Sequence, residues 1–296
     1  MKNSSIEWTD HTFNPWIGCT KVSPGCANCY AEALNKRWKK GDNWGKGAPR
    51  VRTSSSYWKQ PLQWDSLARL AKEFYMAGMA DDEIRPTIKP YVRPRVFSAS
   101  LADWLDDEVP AEWRRDLLSL IRATPNLDWL LLTKRPGNFY QLIAEDAWNR
   151  DNRPDNVWIG TTVEDQERAD ERIPKLLEIP ARIHFLSCEP LLGPVTIPSG
   201  IDWVICGGES GPGARPMHPA WSRSLRDQCA AAGVPFHFKQ WGEWQPYKMG
   251  TAYCDGFREA IVVKNGDGPT GWPTYRVGKS AAGRLLDGIE HNEVPA

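Results

Sequence analysis

Trp129-Leu130-Leu131-Leu132-Thr133, a helical stretch from Phe139 to Ala144, and Val157-Trp158-Ile159-Gly160-Thr161 decide the fold class of this chain. Both short runs are apolar throughout rather than alternating, which is the pattern of strands buried on both faces, and the helix between them makes the strands parallel. The unit repeats outward in both directions. Upstream, Arg95-Val96-Phe97-Ser98 precedes a helix over Glu112 to Arg122. Downstream, a helix over Gln166 to Leu177 leads to Ile183-His184-Phe185-Leu186-Ser187, Trp203-Val204-Ile205-Cys206, a helix over Trp221 to Ala232, and Pro235-Phe236-His237-Phe238-Lys239. With an opening strand at Ile6 to Thr9, seven strands are predicted. The expected class is α/β, a partial or complete (β/α) TIM-like barrel with mainly parallel strands. The connection from Cys188 to Ile201 is short and Pro-rich, so one helix is missing there. The barrel is expected over residues 1–242, with a basic, aromatic insertion at about 36–90 that includes a helix over Ser66 to Met79. Residues 243–296 read as a small C-terminal cap of turns and short strands.

Each run ends in small or polar residues: Ser98-Ala99-Ser100, Thr133-Lys134-Arg135, Thr161-Thr162-Val163-Glu164, Ser187-Cys188-Glu189, Gly207-Gly208-Glu209-Ser210, and Lys239-Gln240-Trp241. In barrel enzymes such strand ends converge on the active site, and six of them in register exceed what helix capping needs. Singly they stay ambiguous. Glu209, after two glycines, is either an ammonium acceptor or the surface residue of a turn. Lys134 and Arg135 either clamp a carboxylate or pair with acidic strand ends. Glu164 and Glu189 are either ligand contacts or acids favoured at helix starts. Cys188 needs no function as a small buried residue.

Three of the seven cysteines fall in Gly18-Cys19-Thr20-Lys21-Val22-Ser23-Pro24-Gly25-Cys26-Ala27-Asn28-Cys29-Tyr30, spaced C-x6-C-x2-C. The loop reads as a metal or cluster site. Ala31, Leu34 and Trp38 recur at helical spacing from Tyr30 to Lys40, so a helix starts at the last cysteine, where free N–H groups favour an anion. Three thiolates without an evident fourth partner suit an iron-sulfur cluster with one open iron. The alternative is a zinc site closed by a distant Cys or His. A disulfide reading is weakest, because seven is odd and nothing else suggests export.

The chain has 296 residues, 37 basic against 37 acidic side chains and a net charge of zero, so it is no general electrostatic magnet for nucleic acid or membrane. No apolar run of about 18 residues occurs, and Met1 to Ser5 lead into no apolar signal segment. A cytoplasmic protein without a membrane partner is expected. Charge is concentrated locally: Lys36, Arg37, Lys39, Lys40, Lys46, Arg50, Arg52 and Lys59 face the single acid Asp42, with Trp38, Trp44, Tyr57 and Trp58 interleaved. Cations for phosphate and rings for stacking suit a flipped or single-stranded nucleotide, which makes Lys39, Lys40, Trp44, Arg50, Arg52 and Trp58 candidate substrate contacts, along with Lys239, Gln240 and Trp241. The plainer reading is a solvated basic loop.

Asn14-Pro15-Trp16 with the cysteine loop, Ser98 to Asp103, Leu132-Thr133-Lys134-Arg135-Pro136, Leu186 to Gly193, Gly207 to Gly211 and Phe238 to Gly242 resemble, in order, the landmarks of the phage- and mobile-element-associated three-cysteine-motif proteins. That family is viewed as an offshoot of the radical S-adenosylmethionine superfamily. The resemblance implies a 4Fe-4S cluster on Cys19, Cys26 and Cys29. It also implies S-adenosyl-L-methionine held by strand-end residues drawn from Ser98, Ser100, Lys134, Arg135, Thr161, Glu164, Glu189, Gly207, Gly208 and Glu209. Ser98 and Ser100 rival Glu209 as amino-group ligands, because the superfamily's Gly-Gly-Glu follows an early strand. The implied activity is generation of a 5'-deoxyadenosyl radical that modifies or repairs a nucleic acid base or nucleotide. A flavodoxin- or ferredoxin-type electron donor and a genomic-neighbour protein are the implied partners. Two alternatives stay open: a non-catalytic nucleic-acid-binding module with structural zinc, and a radical enzyme acting on a peptide or small metabolite.

Overall fold

The structure is a computed structural model and describes residues 4, 6–38, 41–79, 90–247, 258–265 and 271–295. The chain enters through β1 (His11–Phe13) and β2 (Trp16–Ile17), crosses the cysteine loop and forms α1 (Tyr30–Arg37). β3 (Val51–Arg52) pairs antiparallel with β2, and α2 (Gln60–Met79) follows. The alternating region then runs β4 (Arg95–Ser98), α3 (Ala111–Arg122), β5 (Asp128–Thr133), α4 (Phe139–Leu142), β6 (Val157–Thr162), α5 (Gln166–Glu178), β7 (Ile183–Cys188), β8 (Trp203–Gly207), α6 (Pro219–Ala232) and β9 (Phe236–Gln240). β10 (Trp244–Pro246), β11 (Ala260–Lys264), β12 (Gly271–Arg276) and α7 (Lys279–Ala282) complete the chain.

Seven strands form one sheet in the order β1-β4-β5-β6-β7-β8-β9, every neighbour parallel. The sheet curls into a half barrel, so the fold is a partial TIM-like barrel. The unbroken apolar runs are explained by their two faces. Val96, Trp129, Leu131, Val157, Ile159, Leu186 and Val204 pack outward with the helices, whereas Phe97, Leu130, Trp158, Phe185, Trp203 and Ile205 fill the concave side. No helix separates β7 from β8, and the chain from Glu189 to Asp202 is a loop, as its prolines require.

The opening strand lies at His11–Phe13 rather than Ile6 to Thr9. Ile6 and Trp8 are apolar because they fill the concave side, where Trp8 lies 4.6 Å from Phe97, and not because they pair in the sheet. α2 begins at Gln60, six residues before the expected start, and Pro61 sits in its first turn, where a missing N–H costs nothing. β1 and β9 are the two edges of the sheet. The C-terminal tail covers β9: Asn292 bridges to His237, and Phe238 N–H donates to the His291 carbonyl at 3.0 Å. β10, β12 and β11 make a separate antiparallel sheet beside the barrel. Among the described residues no helix is long and apolar enough to cross a membrane.

Candidate functional site

The polar strand ends meet the cysteine loop around one cavity of about 420 Å³. Its wall on one side is Cys19, Cys26, Asn28 and Cys29. Facing them are Ser100 after β4, Lys134 and Arg135 after β5, Thr162, Ser187, Glu189, Gly208, Glu209, Lys239 and Gln240. Trp8, Phe97 and Leu132 form an apolar floor, Trp44 adds a ring, and Lys279 of α7 reaches in from the C-terminal part.

The loop is held over the strand ends by two carboxylates. Glu164, fully buried at the end of β6, accepts from Gly25 N–H at 3.1 Å through Oε1 and from Arg172 at 2.8 Å through Oε2. A Cβ on Gly25 would lie 2.8 Å from Glu164 Oε1, so a larger residue there would push the carboxylate aside. Glu209 Oε2 accepts from Asn28 Nδ2 at 3.1 Å, and Arg215 forks onto both its oxygens at 2.8 and 2.7 Å. Burial raises the Glu209 pKa, but the Arg215 and Asn28 bonds outweigh it and hold the carboxyl below its ordinary value. A third tie comes from Tyr30, whose hydroxyl donates to the Ser100 carbonyl at 2.6 Å. Ser100 is itself fixed by Asn14, which also accepts from Leu101 N–H at 2.8 Å. Just before Ser100, Ala99 holds a left-handed φ of 64°, a strained conformation for a non-glycine residue and one that recurs at functional sites.

The three sulfurs are free of disulfides and half-buried, and their surroundings differ. Cys19 lies 3.6 Å from Arg135 Nη1, and Cys26 lies 3.7 Å from the Ser23 hydroxyl. Cys29 is the N-cap residue of α1 and makes no capping bond through its side chain. Burial first, and then the Asp103 carboxylate, push the Cys19 thiol up to about 12, against the lowering effect of Arg135. Burial thus favours the protonated thiol over the thiolate at this position.

Several expected contacts have other duties. Thr161 is buried and donates to the Thr133 carbonyl at 2.9 Å, while its neighbour Thr162 lines the cavity. Ser98 is buried beneath the wall, Gly207 lies just outside the lining against Glu189, and Glu164 spends both oxygens on the loop and Arg172. Gly208 lines the cavity and packs against the Trp241 carbonyl, where a Cβ would lie 2.0 Å away. Glu209 lines the cavity too, with Arg215 already in the place of an ammonium group. In the insertion, Arg50 is buried against Asp106 at 2.8 Å and Arg52 pairs with Asp116 at 2.7 Å while covering Trp58 at 4.4 Å. Trp58 in turn packs edge-on against Phe13. Arg50 is thus a buried packing residue, whereas Arg52 pairs with Asp116 at the exposed surface and Trp58 is partly buried beneath it. Trp241 lies behind the site, bonded to the Leu285 carbonyl at 2.9 Å. Lys39 and Lys40 lie outside the described residues. Lys134, Ser100, Glu189, Lys239, Gln240 and Trp44 do reach the cavity. Lys239 pairs with Glu189 at 2.8 Å, and Lys134 donates to the Thr162 hydroxyl at 3.2 Å.

Asn28, Tyr30 and Lys279 line the cavity without having been marked by the strand-end pattern, and Arg215 stands behind Glu209. Thr162 and Ser187 do belong to the strand ends, and alternation singles them out, since Trp158, Gly160 and Thr162 share one face of β6 and Phe185 and Ser187 share one face of β7. Among the described residues no three His, Cys, Asp or Glu side chains converge on a point where one ion would sit. None of the five histidines lines the cavity, and Cys188, Cys206 and Cys229 are buried in the helix-facing core. A single zinc ion needs converging donors. An iron-sulfur cluster differs in what it asks of its ligands, since each thiolate binds a different iron, and Cys19, Cys26 and Cys29 all line the one cavity.

No curated protein and no solved structure matches the chain. Residues 3–295 match a family described as protein of unknown function, DUF5131, and the chain belongs to that family.

Proposed function

We propose that this protein is a radical S-adenosylmethionine enzyme, with Cys19, Cys26 and Cys29 holding a 4Fe-4S cluster and S-adenosylmethionine occupying the adjoining cavity. The observation that carries this reading is that three free thiols from one loop open onto the same cavity as six strand ends. When bound, the cluster and S-adenosylmethionine supply a 5'-deoxyadenosyl radical, with the electron delivered by a flavodoxin- or ferredoxin-type donor. The chain supplies binding, orientation and exclusion of water. Lys134, whose ammonium group bonds the neutral Thr162 hydroxyl, offers its charge to a carboxylate. Ser100 and Glu189 present oxygens for an ammonium group. Trp8, Phe97 and Leu132 give the cavity a floor that keeps water from a reactive intermediate.

For the substrate, support narrows to the cavity itself. Trp44 offers a stacking face, and Lys239 and Gln240 offer polar contacts, which suits a base or nucleotide turned out of its stack. The test is anaerobic reconstitution with iron and sulfide, followed by S-adenosylmethionine and dithionite. 5'-Deoxyadenosine should form with the native chain and be absent from Cys19→Ala, Cys26→Ala and Cys29→Ala. A colourless protein carrying one zinc and forming no 5'-deoxyadenosine overturns the reading.

A further inference from the structure

We propose that Arg135 is a positioning residue of the metal centre: it bonds the Cys19 sulfur and sets the reduction potential of the cluster that the previous reading places there, on which this inference rests. Arg135 leaves the end of β5 and spends its fork on three groups. Nη1 donates to Asp103 Oδ2 at 2.9 Å and reaches Cys19 Sγ at 3.6 Å, while Nη2 donates to the Thr20 carbonyl at 2.6 Å. The guanidinium cannot turn away, because Asp103 is itself fixed by the Thr133 hydroxyl at 2.6 Å and by Lys134 N–H at 2.9 Å. Both side chains are nearly withdrawn from water, at 9% and 7% exposure, so their charges are weakly screened.

One thiolate of the three therefore receives a charged donor, and the other two do not share it. Hydrogen bonds to cluster sulfurs and nearby positive charge are levers on potential, because they stabilise the more negative, reduced form. Asp103 offsets part of the field of Arg135 but leaves the bond to sulfur in place. A lysine would keep the charge and lose the fork that reaches Thr20, Asp103 and Cys19 together.

The experiment compares the full chain with Arg135→Gln and Arg135→Lys after anaerobic reconstitution. Iron and sulfide are counted first, and the midpoint is then titrated by electron-spin resonance. Arg135→Gln should keep its iron and be about tenfold harder to reduce, a shift of about 59 mV to lower potential for one electron. Arg135→Lys should fall between it and the native chain. Full iron content with an unchanged midpoint in Arg135→Gln overturns the inference and leaves the radical reading standing. Loss of the cluster from both variants, with native circular dichroism, also overturns it, by making Arg135 a brace for assembly. A native chain that takes up no iron fails at the earlier step and removes the basis of both.

Discussion

His237 sits on β9 facing Trp203, 2% exposed, and neither of its ring nitrogens has a hydrogen-bond partner among the described residues. Burial, with Arg284, Lys239 and Arg95 nearby, lowers its pKa to about 4. The folded chain thus holds this ring neutral where the unfolded chain protonates it. Below the ordinary value of 6.5 the unfolded state binds more protons, so stability falls as pH drops from 6.5 towards 4 and is fully present above that window. The loss at pH 5 is about 2 kcal/mol. Urea unfolding at pH 7 and pH 5 should show it, and His237→Phe should flatten that difference; an equal pH dependence in the variant refutes the assignment. At this scale the sequence conceals most. Glu209 and Arg215 are six residues apart with nothing in their spacing to say that they pair. Arg50, Arg52 and Trp58 look like a nucleic-acid surface because a sequence does not show where a cation's partner lies, and Asp106 and Asp116 supply two of those partners from over 50 residues away.

Strands and helices were far more legible than side-chain roles, because two-sided burial writes itself directly into composition. All seven strand runs carry that mark except the first, where Ile6 and Trp8 give the same apolar signal for a different reason. The cysteine loop was legible as a loop, but its two clamps were not, since each depends on how β6 and β8 approach it. The Glu164 clamp yields a prediction for the element as a whole. Arg172 is buried beside Glu164, with side-chain exposures of 3% and 0%. Glu164→Ala should cost ~3–5 kcal/mol, because it strands a buried cation. Glu164→Gln keeps an acceptor for Gly25 and should cost less. Hydrogen exchange at the Gly25 amide reads the loop separately: it should quicken in Glu164→Ala and stay slow in Glu164→Gln. Equal stability of Glu164→Ala and the native chain would show that the clamp carries no weight.

The half barrel leaves a seam between its edge strands, and the molecule closes it with both ends of the chain. Ile6 and Val294 pack against the same concave core, and the Glu293 carbonyl accepts from the Trp203 indole at 2.9 Å. Removing residues 290–295 should therefore expose the edge of β9, freeing Phe236 N–H, Phe238 N–H and the Trp203 indole together. At about 1 kcal/mol for each lost bond, the truncated chain should be ~3 kcal/mol less stable, visible as a lower urea midpoint; an unchanged midpoint would mean the tail only rests on the barrel. Class and layout were readable at this scale, because a parallel sheet needs crossover helices and the sequence alternates accordingly. The closing of the seam was not, since the tail's pairing with β9 leaves no local pattern.

The clamps on the cysteine loop also set an order of events during translation. Gly25 waits for Glu164, 139 residues later, and Asn28 waits for Glu209, 181 residues later. At ordinary synthesis speeds that is roughly ten to forty seconds during which the nascent thiols stand uncovered on the ribosome. The loop gains both of its clamps only once the second half of the barrel has been made.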